Sequence, residues 1–158
     1  MAMLGCMASP SIAQNNALRD SLAAATNVLA YHPDSIDLRL KKAAWNIQLE
    51  QWAYAKDDLD KVLFLNNTNI AGLFYRAYVN EKLKRYNFAR LDYQNLLVLV
   101  PGNFQAQLGL ALLNEKDKHY TEAYDGINGL IEQYPDSATA YAARGGMEKE
   151  RGMLELAE

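Results

Sequence analysis

Residues able to do acid–base or metal chemistry are sparse in this sequence. Its two histidines, His32 and His119, are 87 positions apart, and both fall in predicted turns. The densest polar group is Glu115, Asp117, His119 and Glu122, whose oxygen and nitrogen atoms are of the kind that bind divalent cations. These four would be spread over a helix end and a turn, where such residues usually face solvent. The sequence therefore predicts no metal site.

Other catalytic signatures are also missing from the sequence. It has no glycine-rich phosphate loop, no nucleophile elbow and no paired cysteines. The single cysteine, Cys6, cannot form an internal disulfide and has no candidate base near it. Gly145 and Gly146 fall within a predicted helix rather than after a strand. We therefore expect no enzymatic activity and no cofactor.

Composition narrows the function classes further. The 158 residues are 50% hydrophobic and 22% charged, with a formal net charge of -3, which is typical of a globular protein. Nucleic-acid binding usually requires a clustered basic face, and the densest basic group here is only Lys82, Lys84 and Arg85. No apolar run approaches the roughly 18 residues of a membrane span. We expect neither a nucleic-acid partner nor a membrane span.

The N-terminus allows three interpretations. Residues 1–13 are apolar and rich in small side chains, and Ser11-Ile12-Ala13 before Gln14 resembles the end of a clipped bacterial export signal. Met3-Leu4-Gly5-Cys6 loosely resembles a lipoprotein box, and an irregular segment without function is the third reading. The first interpretation predicts a periplasmic or exported protein, and the third predicts a cytoplasmic one.

A repeat of 34 residues organises the rest of the chain. Small residues recur at two positions of the repeat, an aromatic residue precedes the second of them, and proline ends three of the repeats. The equivalent residues are Ala43, Ala77, Ala111 and Gly145; Trp52, Tyr86, Tyr120 and Leu154; Ala55, Ala89, Ala123 and Ala157; Leu59, Tyr93 and Ile127; Val62, Leu96 and Leu130; and Pro33, Pro101 and Pro135.

Each class of residue has a physical role in a pair of helices. Small residues allow two helices to cross closely, and branched apolar residues three and four apart form the buried stripe of the second helix. Proline cannot extend a helix, so it ends one repeat before the next begins. Ser35 and Ser137, which follow Pro-Asp, are predicted helix N-caps. The sequence therefore predicts all-α structure made of helix pairs.

The pattern resembles the tetratricopeptide repeat family, whose unit has 34 residues with small residues at its eighth and twentieth positions. Three full repeats cover 36–69, 70–103 and 104–137, preceded by a partial repeat over 14–35. A truncated repeat over 138–158 stops early in its second helix. The resemblance implies a right-handed superhelical α-solenoid of antiparallel helix pairs, forming a single domain over 14–158. Arg39, Asn67 and Leu110 depart from the pattern without disturbing its period.

The resemblance also implies a binding site. In the family, the first helix of each repeat lines a concave groove that holds a segment of a partner protein. The matching positions give a groove whose centre is apolar and aromatic and whose ends are charged. Its predicted residues are Lys41, Gln48, Phe74, Tyr75, Tyr78, Lys82, Gln105, Leu108 and Leu112.

One subtype of the family grips a peptide carboxylate with lysine, asparagine and arginine. The matching positions here hold Leu40, Ala44, Tyr75, Gln105 and Gly109, which argues against such a clamp. The expected ligand is therefore a protein or peptide segment with apolar anchors, bound by a scaffold without catalysis of its own.

Two further hypotheses remain open at this point. In the first, the chain is the tetratricopeptide module of a larger enzyme, sensor or envelope and secretion assembly, from which it is cut. Self-association through the unfinished C-terminal helix is a related prediction, since Met153, Leu154 and Leu156 are apolar residues with no second helix to cover them.

Overall fold

The computed structural model describes residues 11–157, which contain eight helices and no strand. The helices are α1 (Ile12–Tyr31), α2 (Ile36–Gln48), α3 (Trp52–Leu65), α4 (Ile70–Lys82), α5 (Tyr86–Leu99), α6 (Phe104–Lys116), α7 (Tyr120–Gln133) and α8 (Ala138–Ala157). The predicted all-α architecture is confirmed. No helix in this part of the chain is long and apolar enough to cross a bilayer.

The beginnings of the first helices repeat at the same step as the sequence. Ser35, Asn69, Asn103 and Ser137 cap α2, α4, α6 and α8, and each side chain accepts a hydrogen bond from a backbone N–H three residues later. Such a bond satisfies one of the four N–H groups that a helix N-terminus leaves without partners. The caps at Ser35 and Ser137 match the prediction, and the asparagine caps fill the same role in the two repeats between them.

The turns inside the repeats share a left-handed residue. Glu50, Lys84 and Lys118 have φ angles of 56°, 58° and 62° and are spaced by 34 residues. In the first and third turns the next N–H reaches back to a buried asparagine, from Gln51 to the Asn46 carbonyl and from His119 to the Asn114 carbonyl. This reversal ends the first helix and lets the second fold back along it.

The chain divides into two compact units, Met1–Leu83 and Lys84–Glu158, and the division falls at the turn of the central repeat. In the first unit α2 packs against α1, α3 and α4. Its core contains Ala43, Ala55, Leu59 and Val79, all at 0% exposure. The small residues predicted at close helix crossings are therefore buried here. That both units form one domain over 14–158 stays a prediction.

In the second unit α6 packs against α5, α7 and α8. Its core is built from Ala111, Ala123, Ile127, Leu130, Ala140 and Met147. A close approach is visible at Gly109 on α6, where a Cβ atom would lie 2.7 Å from the ring of Tyr93. Tyr93 is 3% exposed, so glycine at position 109 makes room for a buried aromatic ring on α5.

The ends of the described chain differ from the sequence prediction. Val28 falls on a repeat position that is buried in later repeats, but it is 47% exposed, whereas Leu29 is 6% exposed. No described helix precedes α1 to cover Val28. Ser11 caps α1 in a reciprocal pair of hydrogen bonds with Gln14, so the boundary expected after Ala13 lies inside the first turn of α1. The signal and lipoprotein hypotheses rest mainly on residues 1–10, outside the described part.

At the other end, α8 is one continuous helix through Gly152, where the repeat predicts a turn. Gly152 is equivalent to Glu50, Lys84 and Lys118 in the three turns. The predicted turn in the truncated repeat is therefore wrong for the described residues.

Candidate partner-binding site

The first unit carries an aromatic cluster along α4. Phe74 and Tyr75 meet edge to face with ring centroids 6.2 Å apart, and Tyr78 meets Trp52 of α3 at 6.0 Å. The Lys82 ammonium lies 5.3 Å from the ring centroid of Tyr78 and 5.8 Å from that of Trp52. We call these five residues the aromatic face. The spacing of the four residues on α4 follows the helical period, so one side of this helix presents them together, and Trp52 joins them from α3.

The aromatic face is anchored by the core and open at its edges. Trp52, Tyr75 and Tyr78 pack against the buried cluster of the first unit, and Phe74 is half-buried. Lys82 is exposed, one turn beyond Tyr78. Tyr75 and Tyr78 are half-buried, so each ring packs against the core while part of the side chain stays accessible.

The other predicted residues of the first unit lie on α2, which contacts α4. Lys41 and Gln48 are exposed there. Beside them in sequence, Leu40 and Ile47 pack against the same buried cluster as Tyr75 and Tyr78. The structure thus brings an apolar base and exposed polar side chains to neighbouring helices of one unit.

The three predicted residues on α6 lie in the second unit and have a different character. Gln105 is exposed, Leu108 packs against the buried cluster of that unit, and Leu112 is 39% exposed. Gly109, between the two leucines, presents no side chain. This helix offers a smaller apolar surface than α4 and no aromatic ring at the matching positions.

Sequence reasoning missed Trp52 as a member of the site. It placed this residue in the turn between two helices, where an aromatic residue recurs every 34 positions. The structure adds that Trp52 also contacts Tyr78 and Lys82 of the next repeat. A signal was available, because each repeat of a stacked array contacts its neighbours and a large ring at the turn can reach the next repeat.

Buried polar residues stabilise the helices behind the aromatic face. Asp58 on α3 accepts hydrogen bonds from Lys42 and Asn46 of α2 at 3.3 Å each, and Arg39 lies 3.7 Å away. Burial raises the pKa of the Asp58 carboxyl, although Lys42 and Arg39 act in the opposite direction. This network explains Arg39, which departs from the apolar residue usual at its position.

The polar residues around His119 lie where α6 ends and α7 begins, and they contact one another there. Asp117 is held by Arg90 at 2.6 Å, and His119 Nε2 lies 3.4 Å from the same carboxylate. Burial, followed by the neighbouring carboxylate of Glu150, raises the pKa of Glu115. Among the described residues, no three acidic, histidine or cysteine side chains are grouped so that they could hold a metal ion.

Neither a protein-family model nor a curated protein sequence matches this chain. Solved structures do match its fold. A tetratricopeptide repeat protein from Parabacteroides merdae superposes with a TM-score of 0.80 at 24% identity, covering 88% of this chain and 54% of its own length. The chain thus spans about half of that protein.

Two other solved structures share the same architecture. MamA from Desulfovibrio magneticus RS-1 superposes with a TM-score of 0.79 at 15% identity, covering 94% of this chain and 84% of its own. The first tetratricopeptide domain of Spaghetti (RPAP3), bound to the HSP90 peptide SRMEEVD, superposes with a TM-score of 0.67 at 15% identity, covering 74% and 93%. These likenesses establish that the chain has the tetratricopeptide repeat fold, an all-α helical repeat solenoid.

Proposed function

We propose that this protein is an interaction scaffold without catalysis of its own, and that its aromatic face binds an apolar segment of a partner protein. The observation that carries the proposal is the contact of Trp52, Tyr78 and Lys82, in which an exposed cation lies against two half-buried rings. Aromatic side chains that are held rigidly yet remain accessible are enriched among residues that dominate binding energy.

The chemistry of the surface defines the ligand. The rings and the aliphatic residues beneath them favour apolar anchors, while the exposed Lys41, Gln48 and Lys82 favour polar or acidic flanking residues. Leu40, Ala44 and Tyr75 supply no cation for a terminal carboxylate, so an internal segment is the expected ligand. The RPAP3 domain, whose solved structure is bound to an HSP90 peptide, supports peptide binding by this fold.

The predicted residues on α6 form a separate, weaker candidate surface of the second unit. Gln105, Leu108 and Leu112 offer one exposed amide and two partly covered leucines, so we expect them to add contact area rather than anchors. Substitutions there should change affinity less than substitutions on the aromatic face.

A displayed library of random peptides, selected on the whole chain, provides the test. Replacing Tyr78 with Leu, the residue at the equivalent position 112, keeps an apolar body but removes the ring. Affinity for the selected peptides should fall about tenfold or more, as for loss of an aromatic anchor. Lys82→Ala should weaken peptides with acidic flanks most.

Matched variants separate binding from folding. Tyr54→Leu removes a tyrosine that is 66% exposed on α3, away from the cluster, and should leave affinity unchanged. Lys116→Ala removes the lysine equivalent to Lys82 in the second unit and should have a smaller effect. Equal losses in Tyr78→Leu and Tyr54→Leu, with the helical circular dichroism of both preserved, would place the binding surface elsewhere.

A further inference from the structure

The outer side of α5 carries an exposed stripe that the peptide site does not use. Phe88, Leu91 and Val98 are 56%, 52% and 79% exposed, and the polar Asn95 is exposed between the last two. Their spacing of three, four and three residues is that of a coiled-coil seam. We call Phe88, Leu91, Asn95 and Val98 the α5 stripe. Leu99, which is 42% exposed, widens it at the C-terminal end.

The repeat does not require these residues to be apolar. The equivalent positions are mixed in α3 and polar or lack a side chain in α7: Tyr54, Asp57, Lys61 and Phe64 in α3, and Glu122, Asp125, Gly129 and Glu132 in α7. Charged side chains at these positions keep the outer surface of α7 soluble. An apolar stripe at the same positions of α5 therefore indicates a surface that is covered by a partner.

We propose that the partner is a second copy of this chain, and that two α5 helices pair through their stripes in antiparallel orientation. A seam of heptad spacing fits a helix with the same spacing, and a second α5 supplies one. A two-fold axis beside Tyr93 places Phe88 opposite Val98 of the second copy and Leu91 opposite its Asn95. Each contact is then made twice, as a two-fold interface requires.

The charges at the ends of α5 favour this orientation. Lys84 and Arg85 are exposed at its N-terminus, and the Arg85 guanidinium lies 4.4 Å from the ring centroid of Phe88. Among the residues of α5, all of them described, no acidic side chain lies in the first turn and no basic one in the last. The helix dipole is thus uncompensated at both ends.

Antiparallel pairing compensates the dipole of each α5 helix with charges from the other copy. It brings Lys84 and Arg85 of each copy beside the C-terminal carbonyls of the other α5, where cations are favoured. Parallel pairing would instead place the four cations together. Asn87 and Gln94 flank the stripe and are exposed but uncharged, so no like charges oppose the approach of an identical helix.

The interface is short, which determines its expected strength. Stable interfaces use about 20–30 residues from each partner, far more than one stripe of this length supplies. Asn95 within the seam weakens it further while fixing its alignment. We therefore expect a concentration-dependent dimer, whose mass rises from the monomer value toward twice that value as the protein is concentrated.

Sedimentation equilibrium of the whole chain tests the pairing. The double variant Leu91→Asp and Val98→Glu gives α5 the residue types that α7 has at the equivalent positions, and it should stay monomeric at every concentration. Phe64→Glu is the matched control, because Phe64 is 80% exposed at the α3 position equivalent to Val98. It should dimerise like the unaltered chain.

Three results would overturn the proposal. These are a monomer at every concentration of the unaltered chain, normal dimerisation of the double variant, or binding of the monomer to neutral phosphatidylcholine vesicles through the stripe. Circular dichroism of the double variant should match that of the unaltered chain, since the substituted side chains are exposed. The proposal stands independently of peptide binding, because none of these variants touches the aromatic face.

Disulfide trapping tests the orientation. In a Cys6→Ser background, Phe88→Cys and Val98→Cys are prepared as separate proteins and then mixed under mild oxidation. Antiparallel pairing predicts a cross-linked product that contains one copy of each variant, with little cross-linking of either variant alone. Cross-linking of each variant to itself, without the mixed product, would show parallel pairing and overturn the assigned geometry.

Discussion

The two compact units solve the same packing problem with rings on opposite helices. In the first unit Leu59 on α3 is buried and Tyr75 on α4 packs against its cluster. At the equivalent positions of the second unit, Tyr93 on α5 is buried and Gly109 on α6 makes room for it. The first pair holds a leucine and a ring, whereas the second holds a ring and no other side chain. Only the first arrangement leaves a ring on the first helix.

This difference explains how a repetitive backbone carries aromatic rings on only one of its first helices. Both units keep small residues at the positions where helices cross closely. At neighbouring positions, the ring lies on the first helix of a pair in one unit and on the second helix in the other, an exchange of position between the two helices. Where the exchange places the large residue on the first helix, an aromatic face results. Where it places the large residue on the second helix, the first helix is left with glycine and leucine.

The largest effect should follow from disturbing that exchange in the second unit. Gly109→Ala places a Cβ atom 2.7 Å from the Tyr93 ring, which is buried and cannot swing away easily. Overpacking costs about 1–3 kcal/mol, partly offset by about 1 kcal/mol of helix propensity. Urea denaturation should show a net loss of stability.

Two further variants sharpen this prediction. Gly129→Ala, where a Cβ atom would meet no neighbour within 4 Å, should stabilise the protein by up to about 1 kcal/mol. Adding Tyr93→Leu, which reproduces the leucine of the first unit, should remove the clash of Gly109→Ala. If the double variant merely summed the two single losses, the proposed contact between Tyr93 and position 109 would be wrong.

Two substitutions at turn positions of the repeat in the second unit should instead raise stability, by a smaller amount. Lys118 has a φ of 62°, a conformation that costs a residue other than glycine roughly 1 kcal/mol. Lys118→Gly should therefore raise the melting temperature slightly. Gly152→Ala should do the same for the opposite reason, because Gly152 is helical in α8 and alanine is the better helix former. A lower melting temperature for Gly152→Ala would indicate that this residue forms a turn in solution.

The smallest effect concerns Asp58, the buried carboxylate of the first unit, whose equivalents in the second unit are the buried Asp92 and Gly126. Because burial raises the pKa of Asp58 above the ordinary aspartate value of 3.8, the folded protein holds this proton more tightly than the unfolded chain. The stability that Asp58 contributes is thus present below the pKa of the unfolded chain. It is lost as pH rises through the raised pKa of Asp58 in the folded protein. The stability of the unaltered chain minus that of Asp58→Asn should fall as pH rises from about 4, as measured by urea denaturation. A difference that rises with pH would mean that Lys42 and Arg39 outweigh burial.

The fold was predictable from the sequence because its determinants recur. Ala43, Ala77 and Ala111 are buried as the spacing predicts, at 0%, 0% and 1% exposure. Prediction failed where a repeat lacks a neighbour within the described residues. Val28 is exposed and Gly145 has no atom near its missing Cβ, since burial at those positions depends on an adjacent helix and not on the residue itself.

The site was predictable only in part, for a different reason. The repeat phase identifies which residues lie on the first helices, and Phe74, Tyr75, Tyr78 and Lys82 form one cluster there. It does not identify side-chain contacts between successive repeats, so Trp52 was missed. Whether Lys41, Gln48, Gln105, Leu108 and Leu112 contact a ligand stays a prediction, because exposure alone does not distinguish a binding residue from a solvated one.

The α5 stripe has a consequence for how tightly a partner is held. A pair of chains joined through it carries two aromatic faces, so a partner with two recognised segments can engage both at once. The second contact then forms at a high effective concentration, and avidity can exceed the affinity of one face by about 100-fold or more when the spacing allows it. Because the pairing depends on concentration, local crowding of the scaffold would convert weak single contacts into durable ones.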